Sequence, residues 1–273
     1  MSVPHPPSLY TAQTLLNAIA AQAGACSEID RWRFGGWDAH INGLPFNDFS
    51  VEPDKGYFVK CSQPSTFTPG TGLEGSASVA WPEPAALPTL EPVADPAIAD
   101  VMVTNRRDVA LTVTWRTDRP SDGWVEYGTT PELGQVATDD RGEKMVSAVH
   151  LVTLTGLSPE ATIYFRVHSG NSVADNESKL FETATLASVA PTAPATAYGQ
   201  VNMPDGAPAV GSVVFGWLVD AAGNRSEPLS APVDGWGYWV LSVPVVDCEQ
   251  VKLHLEIVEP TGKAIELDRP VCQ

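Results

Sequence analysis

Val109-Ala110-Leu111-Thr112-Val113-Thr114-Trp115 alternates apolar and β-branched residues at period two, the pattern of a half-buried strand. Past a turn at Pro120–Gly123 comes Trp124-Val125-Glu126-Tyr127-Gly128, and then Val149–Leu154, Thr162–His168 and Lys179–Thr183, with turn residues between them. Several short strands at regular spacing predict an antiparallel sandwich. The stretch Leu157–Tyr164 fits a tyrosine corner, in which the Tyr164 hydroxyl would bond back to the chain near Leu157.

Outward from this block the composition changes. Prolines 69, 82, 84, 88, 92 and 96 crowd one stretch, which predicts an extended, semi-rigid spacer over residues 68–95. A second linker of small residues spans 186–197. The chain therefore divides into a first module (1–67), the spacer, a middle module (96–185), the short linker and a last module (198–273). In the first module, Leu15, Leu16, Ile19 and Ala20 recur at helical spacing after a cap at Thr11 or Ser8, and Gly24 ends the helix. Short strands follow at Ile29–Trp32, Trp37–Ile41, Phe49–Val51 and Gly56–Cys61, broken by Gly35-Gly36, Asn42-Gly43 and Pro53-Asp54. The expected fold class is mainly β, with tandem sandwich modules preceded by a small α+β module.

Three resemblances add to this reading. Trp115, Trp124-Val125-Glu126-Tyr127-Gly128-Thr129-Thr130 and His150–Pro159 resemble a fibronectin type III domain, in the version found ahead of purple acid phosphatase catalytic domains. That resemblance covers about residues 96–185. Tyr198-Gly199-Gln200-Val201, Pro204–Val214 and Asp234-Gly235-Trp236-Gly237-Tyr238-Trp239-Val240 resemble carboxypeptidase-regulatory-like, or prealbumin-like, sandwiches over 198–273. Trp37, Pro45-Phe46-Asn47-Asp48-Phe49 and Gly56-Tyr57-Phe58-Val59 resemble a small domain of bacterial surface proteins, which implies a location more than an activity.

Charge narrows the partners. With 33 acidic against 16 basic residues the formal charge is −17, which repels nucleic acid and anionic lipid. Apolar runs fall short of a membrane span. Met1-Ser2-Val3-Pro4 lacks the basic and apolar regions of a signal peptide. This leaves a trimmed mature form or a cytosolic protein, and the cysteines weigh between them. Cys26 and Cys61 lie in the first module, Cys248 and Cys272 in the last, and no CxxC or metal spacing occurs. The natural pairing is Cys26–Cys61 and Cys248–Cys272, each worth about 3–4 kcal/mol in the chain-entropy model, and the alternative is four buried thiols. Paired cysteines place the chain in an oxidising compartment, extracellular or at the cell surface.

Catalytic signals are sparse. The five histidines (His5, His40, His150, His168, His254) have no ligand spacing, and the residues after 185 carry no phosphatase metal module. The expectation is no catalytic site and no cofactor. Ca²⁺ at Asp139-Asp140-Arg141-Gly142-Glu143 is the weighed exception, against the commoner reading of a solvated turn; Asp220–Asn224 reads as another turn. Asn176-Glu177-Ser178 and Asn224-Arg225-Ser226 match the glycosylation sequon. Trp32, Trp37, Trp236 and Trp239 stand beside glycine-rich turns and admit three readings: interface anchors, coplanar platforms for glycan stacking, or core filling. The Pro-rich leader Met1–Tyr10 could dock on a neighbouring subunit's sheet edge. The expected function is that of an extracellular structural protein: a filament, sheath or surface-layer subunit, or an adhesive spacer, partnered by further copies of itself or other cell-surface components. The rival is a carbohydrate-binding accessory region of a larger secreted enzyme, with polysaccharide as its partner.

Overall fold

The computed structural model describes residues 10–22, 24–52, 55–65, 67–68, 79–177, 179–193, 195–244 and 250–270. Strands hold 48% of the chain and helix 4%, so the mainly-β expectation stands. Among the described residues no helix is long and apolar enough to cross a membrane.

The first unit opens on α1 (Ala12–Ala21). Thr11 caps it, and Thr11 and Thr14 exchange side-chain bonds with each other's backbone N–H groups. Its apolar stripe, Leu15, Leu16 and Ile19, packs on one face of an antiparallel sheet made of β1 (Cys26–Arg33), β2 (Gly36–Ile41) and β3 (Tyr57–Cys61), in the order β2-β1-β3. The Cys26–Cys61 disulfide joins the facing ends of β1 and β3. Cys248 and Cys272 lie outside the described residues. The strand expected at Phe49–Val51 is reduced to a single bridge from Ser50 to Thr11, because Phe49 and Val51 turn into the core beneath α1.

The middle residues form two sheets. One contains β4 (Ile98–Thr104), β5 (Ala110–Ser121) and β8 (Ser147–Thr155). The other contains β6 (Trp124–Gly128), β7 (Gln135–Thr138), β9 (Thr162–Ser169), β10 (Ser172–Ala174) and β11 (Phe181–Ala184). Leu111, Val113, Trp115, Val152, Leu154, Ile163, Phe165 and Val167 fill the space between them. The tyrosine corner does not form. Alternation along β9 turns Ile163 and Phe165 inward and Tyr164 to the opposite, half-exposed face. Thr185 closes the turn instead: its hydroxyl donates to the Ser158 carbonyl (2.7 Å) and accepts from the Ala161 N–H (2.9 Å).

In the last unit a two-stranded sheet, β12 (Ala195–Gln200) with β15 (Tyr238–Val243), faces a four-stranded one. The larger sheet has the order β14 (Leu229–Pro232), β13 (Val213–Asp220), β16 (Val251–Val258), β17 (Ala264–Pro270). Val214, Leu218, Trp239, Leu241, Leu253 and Leu255 form its core.

These units are joined broadly. Val149 and Leu151, on the outer face of β8, pack with Val213, Phe215 and Val258 of the last unit, with Met102 and Trp217 at the margin. Polar latches ring this contact. Asn105 Nδ2 donates to the Ser230 carbonyl (2.8 Å) while its Oδ1 accepts from the Ser230 N–H (3.0 Å). Arg116 pairs with Glu256 at 2.6 Å. Of the turn at 139–143, expected in solvent, Asp140, Gly142 and Glu143 are exposed, whereas Asp139 and Arg141 turn into this junction. Asp139 holds Arg141 at 2.8 Å with both side chains almost fully buried, and Arg141 reaches on to the Gly211 carbonyl. Burial pushes the Asp139 carboxyl up, but hydrogen bonds from Arg141 outweigh it and hold it at about 2.

The Pro-rich stretch, expected as an extended, semi-rigid spacer, is hydrogen-bonded to its neighbours along its described part. Trp236 Nε1 donates to the Pro82 carbonyl (2.6 Å), the Ala85 N–H to the Gly235 carbonyl (2.7 Å), and the Val93 N–H to the Pro120 carbonyl (2.9 Å). Proline has no N–H to donate, so the stretch donates through its non-proline residues Ala85 and Val93 and accepts through the Pro82 carbonyl. Replacing Arg141 with Met strands a buried carboxylate. This should destabilise the protein by about 3–5 kcal/mol, and urea denaturation followed by tryptophan fluorescence would measure it.

Candidate functional site

The β1–β2 hairpin turns through Phe34-Gly35, with φ of 51° and 75°. Two successive left-handed residues define a tight hairpin turn whose twist matches the strands. Glycine suits the second position, whereas a bulky residue at the first is unusual. The turn holds Phe34 out at 43% exposure, with the Arg33 guanidinium 4.5 Å over its ring. Gly36 leaves room for Arg107, which crosses the hairpin from the β4–β5 turn: a Cβ there would lie 2.0 Å from its guanidinium carbon and would displace the end of that flexible side chain.

Trp32 and Trp37 are directly paired across the hairpin, so they share a face. Their rings meet edge to face, 5.2 Å apart and 77° between planes, and Phe58 stands 6.1 Å from Trp37. Trp37 Nε1 donates to the Thr192 carbonyl (2.8 Å), and Trp32 is 40% exposed. Around them opens a groove of about 770 Å³, lined among others by Arg31, Trp32, Trp37, Lys55, Phe58 and Pro191. Arg31 is paired with Asp38 at 2.7 Å. Among the described residues, Arg33 and Lys55 have no carboxylate partner. A cationic, aromatic tip thus stands on a chain of net charge −17.

The other tryptophans have different fates. Trp239 is 3% exposed, inside the last unit's core, where alternation along β15 turns it inward, so neither anchor nor platform applies to it. Trp236 is half-buried and spends its indole N–H on the Pro-rich strap. His40 is fully buried, with Nδ1 3.0 Å from the Phe46 carbonyl and Nε2 3.0 Å from Gln13 Oε1; burial lowers its pKa, and the neutral ring donates to one of the two oxygens. His150 is buried and stacked on Trp115 at 4.8 Å. Its Nδ1 stands 3.4 Å from Asp139, and neither ring nitrogen has hydrogen-bonding geometry. Asp140 accepts from Thr153 N–H at 2.8 Å, and its carboxylate is engaged there. Asp220 accepts from the Ala222 and Asn224 N–H groups, closing its turn. Of the leader, Tyr10 alone is described, and it is buried in the first unit's core.

Sequence reasoning missed one buried group. Asp30 shares the Trp32 face of β1 with Glu28 and is fully buried, with neither carboxylate oxygen bonded. Glu28 pairs with Lys60 across the strands at 3.4 Å. Burial first, and then the charge of Glu28, push the Asp30 carboxyl up to about 8. The signal available was the spacing Glu28-x-Asp30 on a strand, which puts two acids on one face.

These features define a mainly-β body of sandwich type with an aromatic, cationic hairpin turn at its surface. Residues 98–185 match the family described as "Purple acid Phosphatase, N-terminal domain", which is not the catalytic part of those enzymes. No curated protein matches the sequence. Among solved structures, the adhesin InvE of Yersinia pseudotuberculosis aligns with 15% identity over 64% of this chain and 57% of that one, at a TM-score of 0.18. So loose a superposition carries no argument about role.

The folded state holds the Asp30 proton up to about pH 8 and the unfolded chain releases it near pH 4, so this group's cost grows with pH across that window. Asp30→Asn should leave stability at pH 4 nearly unchanged and raise it above pH 8, a difference that urea midpoints at the two pH values would reveal.

Proposed function

We propose that this chain is a non-catalytic structural component working outside the cell, as a subunit of a surface filament, sheath or layer or as an adhesive spacer. One observation carries the reading: Trp32 and Phe34 stand 40% and 43% exposed, with Arg33, which has no carboxylate partner among the described residues, between them, on a turn that holds Phe34 at positive φ. Tryptophan and arginine dominate the energetics of protein contacts, and pre-ordering them lowers the entropic cost of binding. The Cys26–Cys61 disulfide fits an oxidising compartment. The main buried ionic cluster, Asp139 with Arg141, is spent on joining units rather than gathered in a cleft. Fold alone would not justify this, since sandwiches host many roles.

A second reading, binding of polysaccharide, draws on the groove of about 770 Å³ beside Trp32 and Trp37. Sugar faces stack on flat, accessible rings, and these two rings stand 77° apart, so one face at most is offered. The readings separate experimentally. Electron microscopy of native material should reveal ordered assemblies or surface-attached protein, and polysaccharide pull-downs should retain little. Strong retention abolished by Trp32→Ala or Trp37→Ala would favour the glycan reading, and turnover of a substrate by this chain alone would overturn both.

A further inference from the structure

The last unit presents an uncovered strand. β17 ends the order β14-β13-β16-β17, so one edge of its backbone has no strand partner among the described residues. Ile265 and Leu267 lie opposite Ile257 and Leu255, whose side chains fill the core, and therefore point to the inner side of the sandwich. Yet they are 48% and 39% exposed. Two strands face four across this sandwich, and the smaller sheet stops short of β17. On the other face of β17 stand Glu266, without a partner among the described residues, and Asp268, which accepts from His254 at 2.7 Å but stays 61% exposed.

Exposed edges invite pairing with another chain, and natural proteins restrain them with charge. Two β17 edges pairing with each other would set Glu266 and Asp268 against their own copies, and like charges directly opposite are unfavourable. The acids therefore exclude a symmetric contact and select a partner that is apolar and positively charged. Such a surface exists on this same chain. At the β1–β2 turn, Trp32 and Phe34 are exposed, Arg33 and Lys55 lack carboxylate partners, and Val189, near Trp32, is 76% exposed.

We propose that the β1–β2 hairpin of one copy, led by Trp32, Arg33 and Phe34, packs on the β17 edge of a second copy from Ile265 to Asp268. Arg33 meets Glu266, and the aromatic rings cover Ile265 and Leu267. Because the two surfaces differ, the contact is head-to-tail, and each added copy leaves one hairpin and one edge free, so growth continues unless the rotation closes a ring. The inference rests on the contact-based function proposed above and names its partner as the protein itself.

Sedimentation velocity on the full chain tests it. Self-association should rise with concentration and weaken as salt screens the Arg33–Glu266 attraction. Phe34→Ala should weaken it about tenfold or more, as loss of an anchor does. Arg33→Glu and Glu266→Lys should each weaken it, and the two together in one chain should restore it, which a folding defect would not do. A wild-type chain that stays monomeric to millimolar concentration overturns the contact and leaves an adhesive role standing. Assembly indifferent to all these substitutions also overturns it, while leaving the filament reading intact.

Discussion

The packing of β8 against β13 and β16 is the constraint on which the rest of this structure depends. A strand in an isolated sandwich buries one face, and its other face meets water. Here Val149 and Leu151 turn away from the middle unit's core and meet Val213, Phe215 and Val258, while Val152 and Leu154 turn inward. Both faces of β8 are therefore dry. Once they are, the polar groups at the margin must find partners within the protein, because a buried, unpaired donor or acceptor costs about 1–3 kcal/mol. Asn105 with Ser230, Arg116 with Glu256 and Arg141 with the Gly211 carbonyl answer that demand.

The first unit is fixed by a different chemistry. Its contacts with the rest of the chain run through rings and carbonyls: Phe46 lies 5.3 Å from Tyr238, Trp37 donates to Thr192, and Arg107 crosses Gly36 to reach the Arg33 carbonyl at 3.4 Å. The sheet face that carries Trp37 also carries Asp30, a carboxyl that has no hydrogen-bond partner among the described residues. Such a group weakens the fold it sits in. It persists beside the pair of Trp32, which is exposed, and Trp37, which is half-buried.

Much of the fold was legible where one face of a strand is wet. The alternation of Val109–Trp115 and of Thr162–His168 marked β5 and β9, and the Leu15-Leu16-Ile19 stripe marked α1, because each segment has a single buried side. β4 escaped because its pairing with β5 slips between Ala99 and Met102, with Asp100 at φ 51°, and the slip breaks the period. Tyr164 was assigned a corner that belongs to whichever residue points inward, and one residue of register gives that place to Ile163. In the acidic turn at 139–143 the exposure of Asp140, Gly142 and Glu143 was legible, but nothing local reveals that Arg141 reaches a carbonyl 70 positions away. A clue did exist: Ala148–Leu154 and Val213–Val219 run almost without polar interruption, as strands buried on both sides do. Of the four candidate tryptophans, Trp32 pairs with Trp37 because the turn falls at Phe34-Gly35, one residue before the glycine pair suggests, whereas the burial of Trp239 depends on which face of β15 meets the larger sheet.

How the chain spends its scarce cations completes the picture. Only 16 of its 273 residues are Lys or Arg, against 33 acids. Arg116 and Arg141 hold the middle unit to the last, Arg107 holds it to the first, Arg106 meets Glu227, and Arg269 reaches the Tyr198 carbonyl at 2.8 Å. The large acidic excess keeps separate molecules apart at long range, while these cations act at short range inside the body, where screening by salt is weak. Arg33 breaks the pattern. It sits at the turn where the chain also holds Phe34 in an unfavourable backbone conformation, and it touches the Phe34 ring instead of a carboxylate. On so acidic a surface, a cation without a carboxylate partner among the described residues attracts anions on whatever approaches, and that attraction is what the proposed contact draws on.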